Sequence, residues 1–144
     1  MKRSTKILLL LILVSTGIII GGIRGSAPAS SQAQSSSETK ENDSGEVRIS
    51  VTPRVLKSGF PASFDIAFET HSIDLVFDVE DVATLTDTTG TTYIPHWEGS
   101  PPGGHHRSGT LRFTPDLKRK TTLTLTLVDI AGIPSRTFSW KEGK

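Results

Sequence analysis

The chain has no cysteine. That excludes a disulfide framework, a thiolate metal site and a blue-copper centre, whose ligand set needs a Cys. It also excludes a lipoprotein anchor, which is attached through a Cys. Methionine occurs once, at Met1, so no thioether set for Cu(I) can form. The motifs H-E-x-x-H, G-x-S-x-G and G-x-x-x-x-G-K-[ST] are absent, and with them the usual zinc-protease, serine-hydrolase and P-loop nucleotide signatures. Carboxylates are plentiful, but no pair has a spacing suited to acid–base work. The chain is therefore not expected to be an enzyme.

Basic side chains are missing from the middle. Between Lys57 and Arg107 there is no Lys or Arg. That interval holds Asp65, Glu69, Asp74, Asp78, Glu80, Asp81, Asp87 and Glu98, together with His71, His96, His105 and His106. From Arg107 onward the balance reverses, with Arg107, Arg112, Lys118, Arg119, Lys120, Arg136, Lys141 and Lys144 against Asp116, Asp129 and Glu142. Net charge is +1 and predicts no partner. Either the two halves interleave and the charges only solvate the surface, or the domain has a cation-attracting side and a basic side. The run Lys118-Arg119-Lys120 reads as a solvated turn, and nucleic acid is not an expected partner.

Long apolar runs are missing everywhere except at the start. Lys2, Arg3 and Lys6 precede Ile7 to Ile23, which carries no charge. A cleaved signal peptide would end at a small-residue site, and Ala27-Pro28-Ala29 has that form. A retained anchor needs about 17–25 apolar residues, and this run sits at the lower edge. Its length and the intrusion of Arg24 favour a retained anchor over residues 1–25. Both alternatives place the rest of the chain outside the cytoplasm: membrane-anchored, or secreted if the segment is cleaved. Residues 26–45 are rich in Ser, Ala, Gln and Glu. They cannot bury enough apolar surface to offset ordering and are expected to be a disordered linker.

Residues 46–144 are left, about 100, enough for one core. Alternation of period two predicts strands. Val47, Ile49 and Val51 form one; Phe64, Ile66 and Phe68 another. Ile73, Leu75, Phe77 and Val79 share a parity and predict a third. Ala83 to Asp87 turns through Asp87-Thr88-Thr89-Gly90 into Thr91 to Ile94. Leu111 and Phe113 follow a Gly-rich loop. Leu123, Leu125 and Leu127 then turn through Asp129 to Gly132 into Phe138 and Trp140. No long helical pattern follows the N-terminal run. About seven short strands with regular turns predict an all-β, antiparallel β-sandwich, with a partly open barrel as the fallback. The strand count and spacing, and the closing Leu123-to-Trp140 hairpin, resemble the immunoglobulin-like domains that exported bacterial proteins carry on tethers. The Cys-Trp-Cys signature of antibody domains is missing, so the resemblance implies no antibody function.

The stretch from His96 to Gly109 reads as a long loop between strands. A plain connector needs Gly and Pro, not a Trp, a Glu and three histidines. His96 and Glu98 share a face if extended. Reversal through Pro101-Pro102-Gly103-Gly104 would bring His105 or His106 back beside His96. With His71 as a further ligand, that inventory suits Zn(II) or Cu(II). Alternatively, Trp97, Pro101, Pro102 and Arg107 would form a surface for a protein or glycan of the envelope or extracellular space, since rigid scaffolds commonly carry binding function on loops. Partner recognition is the leading expectation and metal binding the alternative; no other cofactor is expected.

Overall fold

The computed structural model describes residues 38–142. The expected anchor at 1–25 and the first part of the expected linker lie outside the described residues. Gln32–Lys144 forms one compact unit with its own apolar core, so it carries what a domain needs to fold alone. No helix among the described residues is long and apolar enough to cross a membrane.

The described chain is all-β, with one helical turn. In order it runs β1 (Lys40–Asn42), β2 (Val47–Val55), β3 (Ala62–Thr70), α1 (Val79–Val82), β4 (Ala83–Asp87), β5 (Thr92–Gly99), β6 (His106–Thr114), β7 (Thr122–Ile130) and β8 (Ile133–Lys141). Every pairing is antiparallel, and the strands form one sheet in the order β1-β2-β3-β6-β5-β4-β7-β8. The expected two separate sheets are instead continuous through β5. That strand pairs with β4 at Leu85↔Tyr93 and Thr86↔Thr92, then leaves it and pairs with β6 from Ile94↔Thr114 to Gly99↔Gly109. Where β5 has parted from β4, the Glu80 carboxylate of α1 accepts the Trp97 backbone N–H at 2.6 Å.

The sheet curls until its two edges face each other, giving a nearly closed barrel. Side chains bridge the seam. Trp140 Nε1 donates to Glu38 O at 3.0 Å, and Arg136 donates to Asn42 Oδ1 at 3.0 Å and Ser44 O at 2.7 Å. These contacts make residues 38–44 part of the folded body, although the sequence pattern assigned them to the linker. Arg136 is 2% exposed, and burial pushes its guanidinium below its ordinary pKa.

Alternation sets the core. Val47, Ile49 and Val51 of β2, Phe64, Ile66 and Phe68 of β3, Leu111 and Phe113 of β6, and Leu123, Leu125 and Leu127 of β7 all point inward and are buried. Phe64 packs edge-on to Phe113 and against Trp140, at centroid separations of 6.0 and 5.1 Å. The strand expected over Ile73 to Val79 does not form. The residues keep their parity, with Leu75 and Val79 buried, because the segment caps the core as it crosses from β3 to β4. It finds no strand partner. Asp78 caps α1 by accepting from Glu80 N at 2.9 Å, and the rest of the segment bonds to the turn between β5 and β6.

Candidate functional site

The expected loop from His96 to Gly109 is mostly ladder. Residues 96–99 belong to β5 and 106–109 to β6, which leaves 100–105 as the connection. This short turn lies against the 71–78 segment. Leu75 N donates to Gly104 O at 2.9 Å, Gly103 N to Leu75 O at 2.8 Å and Thr70 N to His105 O at 3.0 Å. The Asp74 carboxylate accepts from Gly104 N. Gly103 and Gly104 hold φ of 111° and 77°, left-handed values that a side chain would disfavour.

Arg107 locks the two segments together from beneath. It is 2% exposed. Its Nη1 donates to Leu75 O at 3.1 Å and Phe77 O at 2.6 Å, its Nη2 to Ser100 O at 3.3 Å, and its guanidinium lies 5.1 Å from the Phe77 ring centroid. Burial lowers its pKa from the ordinary value, and the Asp78 charge opposes that shift. Of the residues expected to form a partner surface, Arg107 is thus held inside by three carbonyls from two other segments. Trp97, the second of these residues, packs against the core. It is half-buried, edge-on to Phe68 at 6.3 Å, and its Nε1 donates to Ser100 O at 3.0 Å. Gly99 and Gly109 pair across β5 and β6 and leave room for this indole. A Cβ on Gly109 would meet Trp97 Cζ2 at 2.8 Å.

The histidines do not converge. The register His96↔Arg112 and Gly99↔Gly109 means that the hairpin carries His105 and His106 away from His96. From His106 to Arg112 along β6 is a rise of roughly 20 Å. His96 and Glu98 lie on the outer face of β5, where His96 Nε2 contacts Thr114 Oγ1 at 3.1 Å and Glu98 approaches Arg112 at 3.9 Å. His71 and His106 do meet, with ring centroids 6.2 Å apart and nearly perpendicular. Among the described residues there is no group of three or more His, Asp or Glu that could hold a metal ion.

Folding brings together an end of the barrel whose exposed members include His71, Val76, Pro101, Pro102, His105 and His106. Val76, 67% exposed, was not singled out by its sequence, because it lies in a segment patterned like a strand. A depression of about 280 Å³ opens beside His71, lined by Asp43, Glu46, Arg48 and Glu69. Arg48 approaches Asp43 at 3.9 Å and Glu69 at 3.8 Å. A larger hollow of about 370 Å³ lies on the outer face of β2, β3, β6 and β5, where Asp65 and Glu98 flank Ser50, Thr52 and Thr110. Its carboxylates are already engaged: Asp65 accepts from Thr110 Oγ1 at 2.8 Å and meets Arg54 at 3.4 Å, and Glu98 faces Arg112.

Charge separates by end. The strand directions put Asp43, Glu46, Glu69, Asp74, Asp78, Glu80, Asp81 and Asp129 at the histidine end. The opposite end carries Lys57, Lys118, Arg119, Lys120 and Lys141. The separation is partial: Arg48 lies at the histidine end, and Glu38, Asp87, Asp116 and Glu142 lie at the other.

These residues define an antiparallel β domain with a rigid, acidic, histidine-bearing tip. No family model and no curated protein matches the chain. Among solved structures it is similar to a DUF4426 family protein from Pseudomonas aeruginosa PAO1, with a TM-score of 0.47 and 14% identity, over 72% of this chain and 91% of that one.

Proposed function

We propose that the chain is an exported binding module whose histidine end recognises a protein partner at the cell envelope. The observation that carries this reading is the locking of the 71–78 and 100–105 segments by backbone bonds and by Arg107, while His71, Val76, Pro101, Pro102, His105 and His106 stay exposed. A surface fixed before contact loses little conformational entropy on binding. The acidic surroundings favour a partner with a basic face. A glycan is less well served, because Trp97 is turned inward and bonded to Ser100 rather than offered as a stacking platform. Export rests on the basic, then apolar, N-terminal sequence. The finer reading of the fold as immunoglobulin-like is supported by strand order: β2-β3-β6-β5 and β4-β7-β8 follow the ABED and CFG arrangement of such domains.

The test is site-specific photo-crosslinking in intact cells. Crosslinkers at Val76 and Pro102 should trap one discrete partner, and a crosslinker at Thr137 on β8 should not. Equal yields at the three positions would refute recognition by this end. A second reading follows from the His71–His106 pair, which supplies two nitrogen ligands for Zn(II) or Cu(II). It predicts calorimetric binding that His71→Ala and His106→Ala each remove and His96→Ala leaves intact.

A further inference from the structure

The end opposite the histidines also has a surface with a partner chemistry. Three connections meet there. Gly59 N donates to Leu117 O at 2.7 Å and Leu117 N to Phe60 O at 3.0 Å, which joins the β2–β3 turn to the β6–β7 turn. Glu142 N donates to Thr121 O at 3.0 Å and brings in the end of β8. This assembly places exposed Lys57, Lys118, Arg119, Lys120 and Lys141 at the same end as Phe60. Phe60 is 48% exposed, and Lys57 Nζ lies 5.0 Å from its ring centroid. Two of the four acids in this region are turned to internal work. Asp87 accepts from Thr89, Thr91 and Tyr93, and Glu142 Oε1 accepts from Ser58 N. Asp116 and Glu38 are exposed.

The chain enters the described body from this side. Glu38 is fixed to Trp140, and Thr39 Oγ1 lies 2.7 Å from Thr52 Oγ1. Residues 24–37 separate this point from the apolar run ending at Ile23.

We infer that the basic end, with Phe60 at its centre, docks on an anionic lipid surface and orients the histidine end outward. An exposed aromatic ring among cations combines interfacial burial with attraction to acidic headgroups. The acidic end is repelled by the same field, so the charge separation acts as an orienting device. The inference deepens the exported-module reading and rests on it.

The probe is a vesicle of phosphatidylglycerol and phosphatidylcholine in equal parts, compared with phosphatidylcholine alone. The protein is the self-contained unit 32–144, which lacks the apolar run. It should co-sediment with the anionic vesicles at low salt, not with the neutral ones, and raised salt should release it. The triple variant K118E/R119E/K120E, at exposed positions, should weaken binding by about a hundredfold or more, and Phe60→Ser by several-fold. A fluorophore on Phe60→Cys should be shielded by anionic vesicles, and one on Val76→Cys should not. Equal binding to both vesicles, unchanged binding by the triple variant, or shielding at Val76 overturns the inference. Capture of soluble polyphosphate without vesicle binding also overturns it and points to a soluble polyanion. Failure of the export reading is scored separately, by alkaline extraction of the full chain from membranes.

Discussion

Arg107 gives the most exposed test of how the tip is built. Truncation to Ala removes all three guanidinium bonds, but their loss is unequal. Leu75 O keeps the Gly103 N–H and Ser100 O keeps the Trp97 indole N–H. Among the described residues, Phe77 O accepts from Arg107 alone. One orphaned carbonyl costs about 1–3 kcal/mol. Loss of the cation–π contact with Phe77 adds about 1, and the void left by a fully buried stem adds about 2. Relief of burying a cation without a close counter-ion offsets part of this. The net expectation is a loss of about 3 kcal/mol for Arg107→Ala. Arg107→Met refills the stem volume and should lose about 1–2. A domain of this size has roughly 5–15 kcal/mol in total, so both variants should fold. Urea unfolding measures the stability difference, and hydrogen exchange measures where it falls. Exchange should accelerate first at the amides of Leu75, Gly103 and Gly104 in both variants. If Arg107→Met matched the parent in both stability and protection of these amides, the guanidinium would not be what holds the two segments together.

Two further outcomes follow from packing and from charge. Gly109→Ala would place a Cβ 2.5 Å from Gly99 Cα and 2.6 Å from Glu98 O. Backbone must move, so the urea midpoint should fall by the equivalent of about 1–3 kcal/mol; an unchanged midpoint would contradict the close β5–β6 approach. Asp87 has its pKa lowered to about 2, chiefly by the Thr89 hydroxyl and also by the Thr91 and Thr89 amides and the Tyr93 hydroxyl, against an opposing effect of burial. Its folded value lies below the unfolded one, so its contribution is full above about pH 4 and is lost as pH falls towards about 2. After solvent screening at this half-exposed turn the contribution is about 1 kcal/mol. The stability gap between the parent and Asp87→Asn should therefore close on acidification from pH 5; a constant gap would remove the carboxylate from the turn's energetics.

Local pattern made much of this domain readable. Alternation found β2, β3, β4, β7 and β8, and Asp87 to Gly90 and Asp129 to Gly132 were readable as turns, because face and turn chemistry depend on near neighbours. The same rule misled over Ile73 to Val79. Parity reports which side chains are buried, but a strand also needs a partner edge, and none lies beside that segment. Pairing joins residues distant in the chain, so the double role of β5 had no local sign. Neither did the seam closed by Arg136 and Trp140. The candidate site divides in the same way. Pro101, Pro102, His105 and His106 were visible as an unusual composition. The separation of His96 from His106 followed from hairpin register. Arg107 carries the same charge as any surface arginine; carbonyls supplied by Leu75, Phe77 and Ser100 are what allow it to be buried, and only the folded chain brings them within reach.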